Sequence, residues 1–429
     1  MFSIVACLSA ASPAFAQEHH DHDTAPAAQH DHRTMEHDAP PEDHDAHKMR
    51  GLYGSYGMGR DASGTSWQPD VSTHGGVHGR AANWDLMGHA LLNGVYVWQE
   101  GARGDEKAFL AGMFMGAARR DFANNDTVNL RLMMSPDPLM GKSGYPLLFA
   151  AGETADGATE LIDAQHPHDL FMELSASYTH RFDDGSSVFG YVGLPGEPAF
   201  GPPAFMHRLS AMDSPEAPLS HHWIDSTHIT FGVVTAGYVR GPFKIEASRF
   251  RGREPDQDRF DIEEPRLDST AVRVSVNPAE RLSLQVSWAD IESPEQLHPD
   301  EDEERWSASA IYAQPIGSGL WTTTFAFGTK AHDGGHWHNA WLIESALKPN
   351  DEWTYFARAE QIETGALAPD IEADVQRLSV GAIRDFRISD STVIGVGALV
   401  QQHFAPDSLE DLYGGDPNGG VAFVRLKIG

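Results

Sequence analysis

The sequence predicts an all-β, transmembrane antiparallel barrel of about 16 strands (14–18), preceded by a disordered His-rich N-terminal segment. Three observations carry this. From Ala81 onward apolar residues recur with period two, the signature of strands with two unlike faces. No run approaches the roughly 18–20 uninterrupted apolar residues of a spanning helix, while aromatics make up 10% of the chain and 41 glycines and 26 prolines punctuate it. Connections between the periodic segments alternate between short turns and long loops, the layout of an outer-membrane barrel.

Sixteen candidate strands follow one another at residues 84–98, 107–120, 126–136, 168–182, 186–194, 226–240, 243–251, 268–277, 281–291, 305–313, 320–331, 338–347, 352–362, 375–386, 392–401 and 419–428. Leu282, Leu284, Val286 and Trp288 alternate with Ser283, Gln285 and Ser287. Val128, Leu130, Leu132 and Met134 likewise oppose Asn129, Arg131 and Met133. Short turns fall at 123–125, 183–185, 241–242, 278–280, 315–319, 348–351 and 388–391. A soluble sandwich would alternate too; the turn spacing separates the two cases. Lipid cannot satisfy a free strand edge, so a sheet with an apolar outer face must close on itself. Arg119, Arg131, Arg273, Arg377 and Arg425 then line the lumen. Trp98, Trp288, Trp321, Trp341 and Trp353 lie near strand ends, where an interfacial girdle places them. An even strand count puts both termini on the short-turn, periplasmic side.

Residues 1–16 read as a signal peptide ending Ala14-Phe15-Ala16. Ile4-Val5-Ala6-Cys7 also has the form of a lipoprotein box, and both readings imply export. Cys7 is the single cysteine, so metal chemistry must use imidazole, carboxylate and thioether groups. Residues 17–50 carry His19, His20, His22, His30, His32, His37, His44 and His47 among aspartates and almost no apolar residues. Such a segment cannot offset its chain entropy and is expected to be disordered, yet it can wrap imidazoles around a divalent ion. The competing reading is a solvated acidic linker. Residues 51–80, rich in glycine and aromatics, read as a transition segment or plug before a barrel at 81–429.

With 31 Lys+Arg against 62 Asp+Glu the net charge is −31, which excludes a nucleic-acid partner, because phosphate binding needs clustered cations. The long loops hold the remaining histidines: His166 and His168 in Gln165-His166-Pro167-His168-Asp169, then His207, His221, His222 and His228, then His332, His336 and His338. Each cluster can supply part of a metal site; each also serves as a loop anchor through side-chain hydrogen bonds. The Pro/Gly-rich run from Leu194 to Pro203 is stiff enough to fold inward and constrict the pore or to form an external lid. Met113, Met115, Met133, Met134 and Met140 offer thioethers, for which packing is the preferred role. The acidic runs 253–258 and 300–304 read as solvated faces. There is no G-x-S-x-G elbow, H-E-x-x-H helix or phosphate-binding glycine loop, so the chain is expected not to be an enzyme.

The leader, the His/Asp-rich segment and the barrel together resemble the outer-membrane barrels of heavy-metal resistance systems, of the copper-resistance protein B type. A group of exported Gram-negative proteins is also similar across nearly all of the mature chain. It shares Ala62-Ser63-Gly64-Thr65-Ser66-Trp67-Gln68-Pro69-Asp70, Gln165-His166-Pro167-His168-Asp169-Leu170-Phe171, Pro203-Ala204-Phe205-Met206-His207-Arg208 and His221-His222-Trp223-Ile224-Asp225-Ser226-Thr227-His228. The resemblance implies copper as the bound ion, with zinc or nickel as alternatives. The copper-resistance type often has Met/His repeats near its N-terminus, whereas this segment has only Met35 and Met49.

The expected function is therefore an outer-membrane barrel that binds divalent metal through a periplasmic His-rich arm and loop histidines, contributing to metal resistance or efflux. Its partners would be outer-membrane lipid, divalent metal ions and periplasmic metal-handling proteins. The alternative is a general or solute-selective porin with an incidental arm; a membrane-embedded hydrolase is a minor alternative.

Overall fold

The computed structural model describes residues 49–429; the leader, Cys7 and the arm histidines His19 to His47 lie outside the described residues. In chain order the strands are β1 (Val77–Ala81), β2 (Trp84–Gln99), β3 (Glu106–Asp121), β4 (Asp126–Met134), β5 (Tyr145–Thr154), β6 (Glu160–Gln165), β7 (Phe171–Arg181), β8 (Ser187–Gly193), β9 (Val233–Arg240) and β10 (Phe243–Phe250). They continue as β11 (Ser269–Ala279), β12 (Leu282–Ile291), β13 (Glu303–Ile316), β14 (Gly319–His332), β15 (His338–Lys348), β16 (Trp353–Thr364), β17 (Ala373–Ser389), β18 (Thr392–Phe404) and β19 (Asn418–Ile428).

Every ladder is antiparallel, β4 pairs with β7, and β19 returns to β2, so β2–β4 and β7–β19 form a closed ring of 16 strands. The sixteen strands expected from periodicity are these sixteen. β1 continues the edge of β2: the β19 ladder stops at Ile428↔Ala90, and β1 takes up pairing at Val77↔Gly88.

Closure follows from the alternation. Along β12, Leu284 and Val286 are exposed while Ser283, Gln285 and Ser287 are buried. Leu130, Leu174, Val234, Ile245, Val274, Phe325, Ile343, Val380, Val396 and Val424 extend the same apolar belt around the ring. A closed ring leaves no unpaired backbone edge to face lipid. Aromatics gather near the strand ends, with Tyr96 stacked on Trp98 and Trp353 on Tyr355. Introducing a charge at the middle of this belt is expected to be costly: Val286→Arg should lower stability in micelles by about 2–4 kcal/mol, the midplane cost for a lipid-facing cation. Urea unfolding read by heat-modifiable gel migration checks it, and a loss under about 1 kcal/mol would mean that Val286 does not meet lipid.

The inward face carries the arginines expected there, each paired with a carboxylate: Arg131–Glu173 at 2.9 Å, Arg273–Glu246 at 2.9 Å and Arg377–Glu360 at 2.8 Å. Two chain segments use these rows as anchors. Of the 51–80 stretch expected as a transition segment or plug, the end forms β1, while residues 50–72 lie at the short-turn mouth. Arg60 clasps Asp70 and donates to the Gly241 carbonyl in the β9–β10 turn, and Val71 N–H donates to Glu280 in the β11–β12 turn. Lumen side chains hold the carbonyls of this segment: Arg131 donates to Gly64, Ser187 to Tyr53 and Asn277 to Gln68.

The second segment, 194–232, folds into the lumen; the external-lid reading of Leu194 to Pro203 is set aside. Ala199 and Gly201 donate backbone N–H groups to the inward hydroxyls of Ser248 and Ser287, and Arg273 donates to the Gly201 carbonyl. Hairpin β5–β6, not expected from sequence, caps the long-loop end. Leu148 N–H reaches Gln99 there, and Tyr145 stacks on Phe109.

Two further expectations are corrected. The strand placed at 226–240 begins only at Val233, because Ser226–His228 form a single 3-10 turn and Gly232 breaks the extension at φ +107°. Glu254 and Glu303, read as solvated, are turned inward onto Arg305. Trp288 donates to Glu304, which does remain at the surface.

Candidate functional site

The inward segment 194–232 carries a one-turn helix, α1 (His221–Ile224), that seats against β13–β15. Its backbone is closed by Asp225 N–H donating to the His221 carbonyl, and Trp223 donates its indole N–H to the His338 carbonyl at 3.1 Å. Gly328 on β14 makes room for it, since a Cβ there would stand 2.6 Å from the Trp223 carbonyl oxygen. Arg208 fixes the segment from below: it reaches Asp225 at 2.7 Å and Glu344 on β15 at 2.5 Å, all three fully buried.

This seating brings together five of the histidines singled out from sequence. Ring centroids run His168–His228 at 5.3 Å, His228–His221 at 5.1 Å, His221–His222 at 5.6 Å and His222–His166 at 5.6 Å. Three have Nδ1 engaged by an acceptor: His168 on Asp137 at 2.8 Å, His221 on the Asp225 carboxylate at 2.6 Å, and His228 on the Asp225 carbonyl at 2.8 Å. His166 Nε2 lies 3.1 Å from Glu153, and His222 Nδ1 lies 3.8 Å from Glu254. Arg259 binds both Glu153 and Asp169. A void of about 20 Å³ lies among His166, His168, His221, His228, Glu153 and Glu254.

Burial disfavours the charged form of three of these imidazoles. Burial, reinforced by neighbouring imidazoles, lowers the pKa of His228 well below its ordinary value. Burial also lowers that of His221, against the pull of Asp225, and that of His166, with Arg259 adding to the effect. Burial opposes ionisation of Asp225, yet Arg208 and His221 together hold its carboxyl below the usual carboxylate range. Burial pushes Asp169 up to about 6, with Arg259 resisting.

The other candidates stand elsewhere. His207 contacts the Met133 sulfur at 3.2 Å and faces His89 across 6.5 Å. Burial, with His89 next, takes the pKa of His207 down to about 3. Both histidines line a second cavity of about 350 Å³ at the short-turn end, with His74, Met58, Met87, Met113, Met115 and Met212. Met113 and Met133 pack inside with Leu91, Met172 and Ile229. This apolar layer separates the two cavities, since Leu91 and Met113 line the larger and Ile229 the smaller.

His332, His336 and His338 sit on three different carboxylates, Glu303, Glu363 and Glu372. Among the described residues no three His, Cys, Asp or Glu side chains already stand in a coordinating arrangement. Sequence reasoning missed His89 and the supporting Asp137, Asp225, Glu153 and Glu254. Only Asp225, four residues after His221, left a local signal, the spacing of one helical turn.

No family model matches the chain, and no curated protein matches it. Among solved structures, OprB of Pseudomonas putida superposes with a TM-score of 0.52 at 10% identity, covering 81% of this chain and 94% of that one. Salmonella typhi OmpF, in a complex with daunomycin, gives 0.51 at 10% identity, covering 82% and 100%. An anion-selective porin from Comamonas acidovorans gives 0.48 at 10%, covering 80% and 100%. The fold is that of an outer-membrane β-barrel. Its apolar belt accordingly meets Gram-negative outer-membrane lipid.

Proposed function

We propose that the chain is a solute-selective outer-membrane channel whose lumen is closed in this conformation by two ordered segments. The observation that carries the reading is the filled interior of a closed 16-strand ring: the 50–72 plug at one end and the 194–232 segment across the middle. An open general porin keeps a water-filled lumen at this strand number. Here the cavity of about 350 Å³ reaches only from the short-turn mouth to the Met layer, a volume suited to one small molecule. Passage therefore requires one segment to move, and the buried polar contacts that seat each segment set the cost of moving it.

Planar-bilayer recording tests this. The full chain is expected to show small, infrequent openings, and removal of residues 196–226 to give steady conductance several-fold higher. A large, steady conductance from the intact chain would sink the proposal.

Metal handling is the second reading, favoured by the five converging histidines and by the composition of the arm, whose proposed place is the periplasm. Deleting residues 17–48 and measuring metal tolerance beside liposome swelling separates the readings. Tolerance lost with flux intact supports metal capture by the arm; tolerance and flux both unchanged remove the arm from the function.

A further inference from the structure

We propose that His168, His221 and His228 form a binding site for one divalent first-row ion of the zinc and copper class, inside the barrel and separate from the N-terminal arm. The site goes beyond the channel reading and stands whether or not the lumen conducts.

The three imidazoles come from two segments far apart in sequence, the run after β6 and the stretch of α1 with the 3-10 turn that follows it, yet their rings lie 5.1 and 5.3 Å apart along the series. Two imidazoles on one tetrahedral ion, with metal–nitrogen bonds of about 2.0–2.1 Å, have centroids roughly 5 Å apart. Two of the three ring spacings match, and loading asks the rings to turn toward the void between them.

The acceptors at Nδ1 are the stronger argument. A carboxylate and a backbone carbonyl only accept, so each of the three rings carries a proton on Nδ1, and in its neutral form presents a bare lone pair on Nε2. Metal-bound histidines are built this way, with the second ring nitrogen held by a carboxylate or carbonyl that fixes the tautomer. At His228, which is 6% exposed, Nε2 is buried with no partner at all. The adjoining void of about 20 Å³ holds one ion or one water.

Phe205 packs against all three rings, giving the site one dry wall. Glu254 also lines the void and is the carboxylate available for the fourth position, while Asp137 and Asp225 supply negative charge behind the ligands. Nitrogen donors with carboxylate support suit Zn(II) and Cu(II), and the absence of thioethers from the lining argues against a preference for Cu(I).

The test uses the full chain in detergent micelles, loaded with Zn(II), washed with a chelator and assayed for metal per barrel. The chelator wash strips weakly held ions; one ion per barrel is expected to remain. His221→Gln and His228→Gln should lose it, and Asp137→Asn, which keeps all three ligands, should weaken retention about 10–100-fold. His207→Gln and a chain lacking residues 17–48 should keep it. Co(II) loading adds a second readout: intense visible bands of four-coordinate Co(II) in the parent and none in His228→Gln, with heat-modifiable migration showing that each variant is folded. The proposal is overturned if the folded parent retains no ion, if His228→Gln retains it equally, or if removing the arm abolishes it.

Discussion

Replacing Arg208 by Met is expected to unseat the lumen segment and raise single-channel conductance several-fold. Arg208 is 1% exposed and its guanidinium binds three groups: Asp225 on the segment at 2.7 Å, Glu344 on β15 at 2.5 Å, and the Pro203 carbonyl of the segment at 2.9 Å. Removing the cation leaves two buried carboxylates without it. Breaking a buried pair from one side costs about 3–5 kcal/mol, far more than the pair itself contributes. The two carboxylates do not suffer equally. Glu344 keeps Arg358 at 3.1 Å and Ser210 at 2.9 Å, whereas Asp225 keeps only its bond to His221 within the same mobile unit. The strain therefore falls on the segment, and the barrel wall keeps its ladders. Bilayer conductance and trypsin cleavage within 194–232 are the measurements. A folded Arg208→Met with parental conductance and a protected segment would show that the segment is not held through this residue. Since Asp225 also orients His221 and His228, the same variant is expected to release the chelator-resistant metal ion.

The sixteen wall strands could be read from sequence because lipid and lumen impose unlike demands on alternate residues, and that contrast survives in any window of β12 or β4. Where both faces of a segment are buried in protein the contrast vanishes. Tyr145–Thr154 is apolar almost throughout and buried nearly throughout, so β5 carried no period. Thr227 to Phe231 alternates by chance inside the lumen and imitated the start of β9. The histidine motifs were visible as composition; their meeting was not, because it depends on how Arg208 and Gly328 seat α1. Glu254 and Glu303 sit in acidic runs, and nothing local distinguishes a carboxylate that will meet Arg305 in the interior from its solvated neighbours.

Arg131→Met should loosen the plug and lower the urea midpoint sharply, and a second substitution should largely undo the stability loss. Arg131 donates to the Gly64 carbonyl at 2.6 Å and pairs with Glu173 at 2.9 Å, both residues being nearly buried. Two explanations of a large effect are distinguishable, because the plug carbonyl is not left bare: Tyr53 also donates to Gly64, at 3.0 Å. The loss must then come mainly from Glu173, which retains only the hydroxyls of Ser175 and Tyr191 as donors. One orphaned carboxylate in such a setting costs about 3–5 kcal/mol, while removing both charges of a buried pair is often close to neutral. Arg131→Met combined with Glu173→Gln should therefore recover most of the urea midpoint, since the amide still accepts from both hydroxyls. It should not recover the seating of the plug, which has one donor fewer in either variant, and protease cleavage near Gly64 should stay elevated. If the double variant remains as unstable as the single one, the plug carbonyl, and not the carboxylate, is what Arg131 chiefly satisfies, and plug displacement would have to be coupled to the stability of the wall itself.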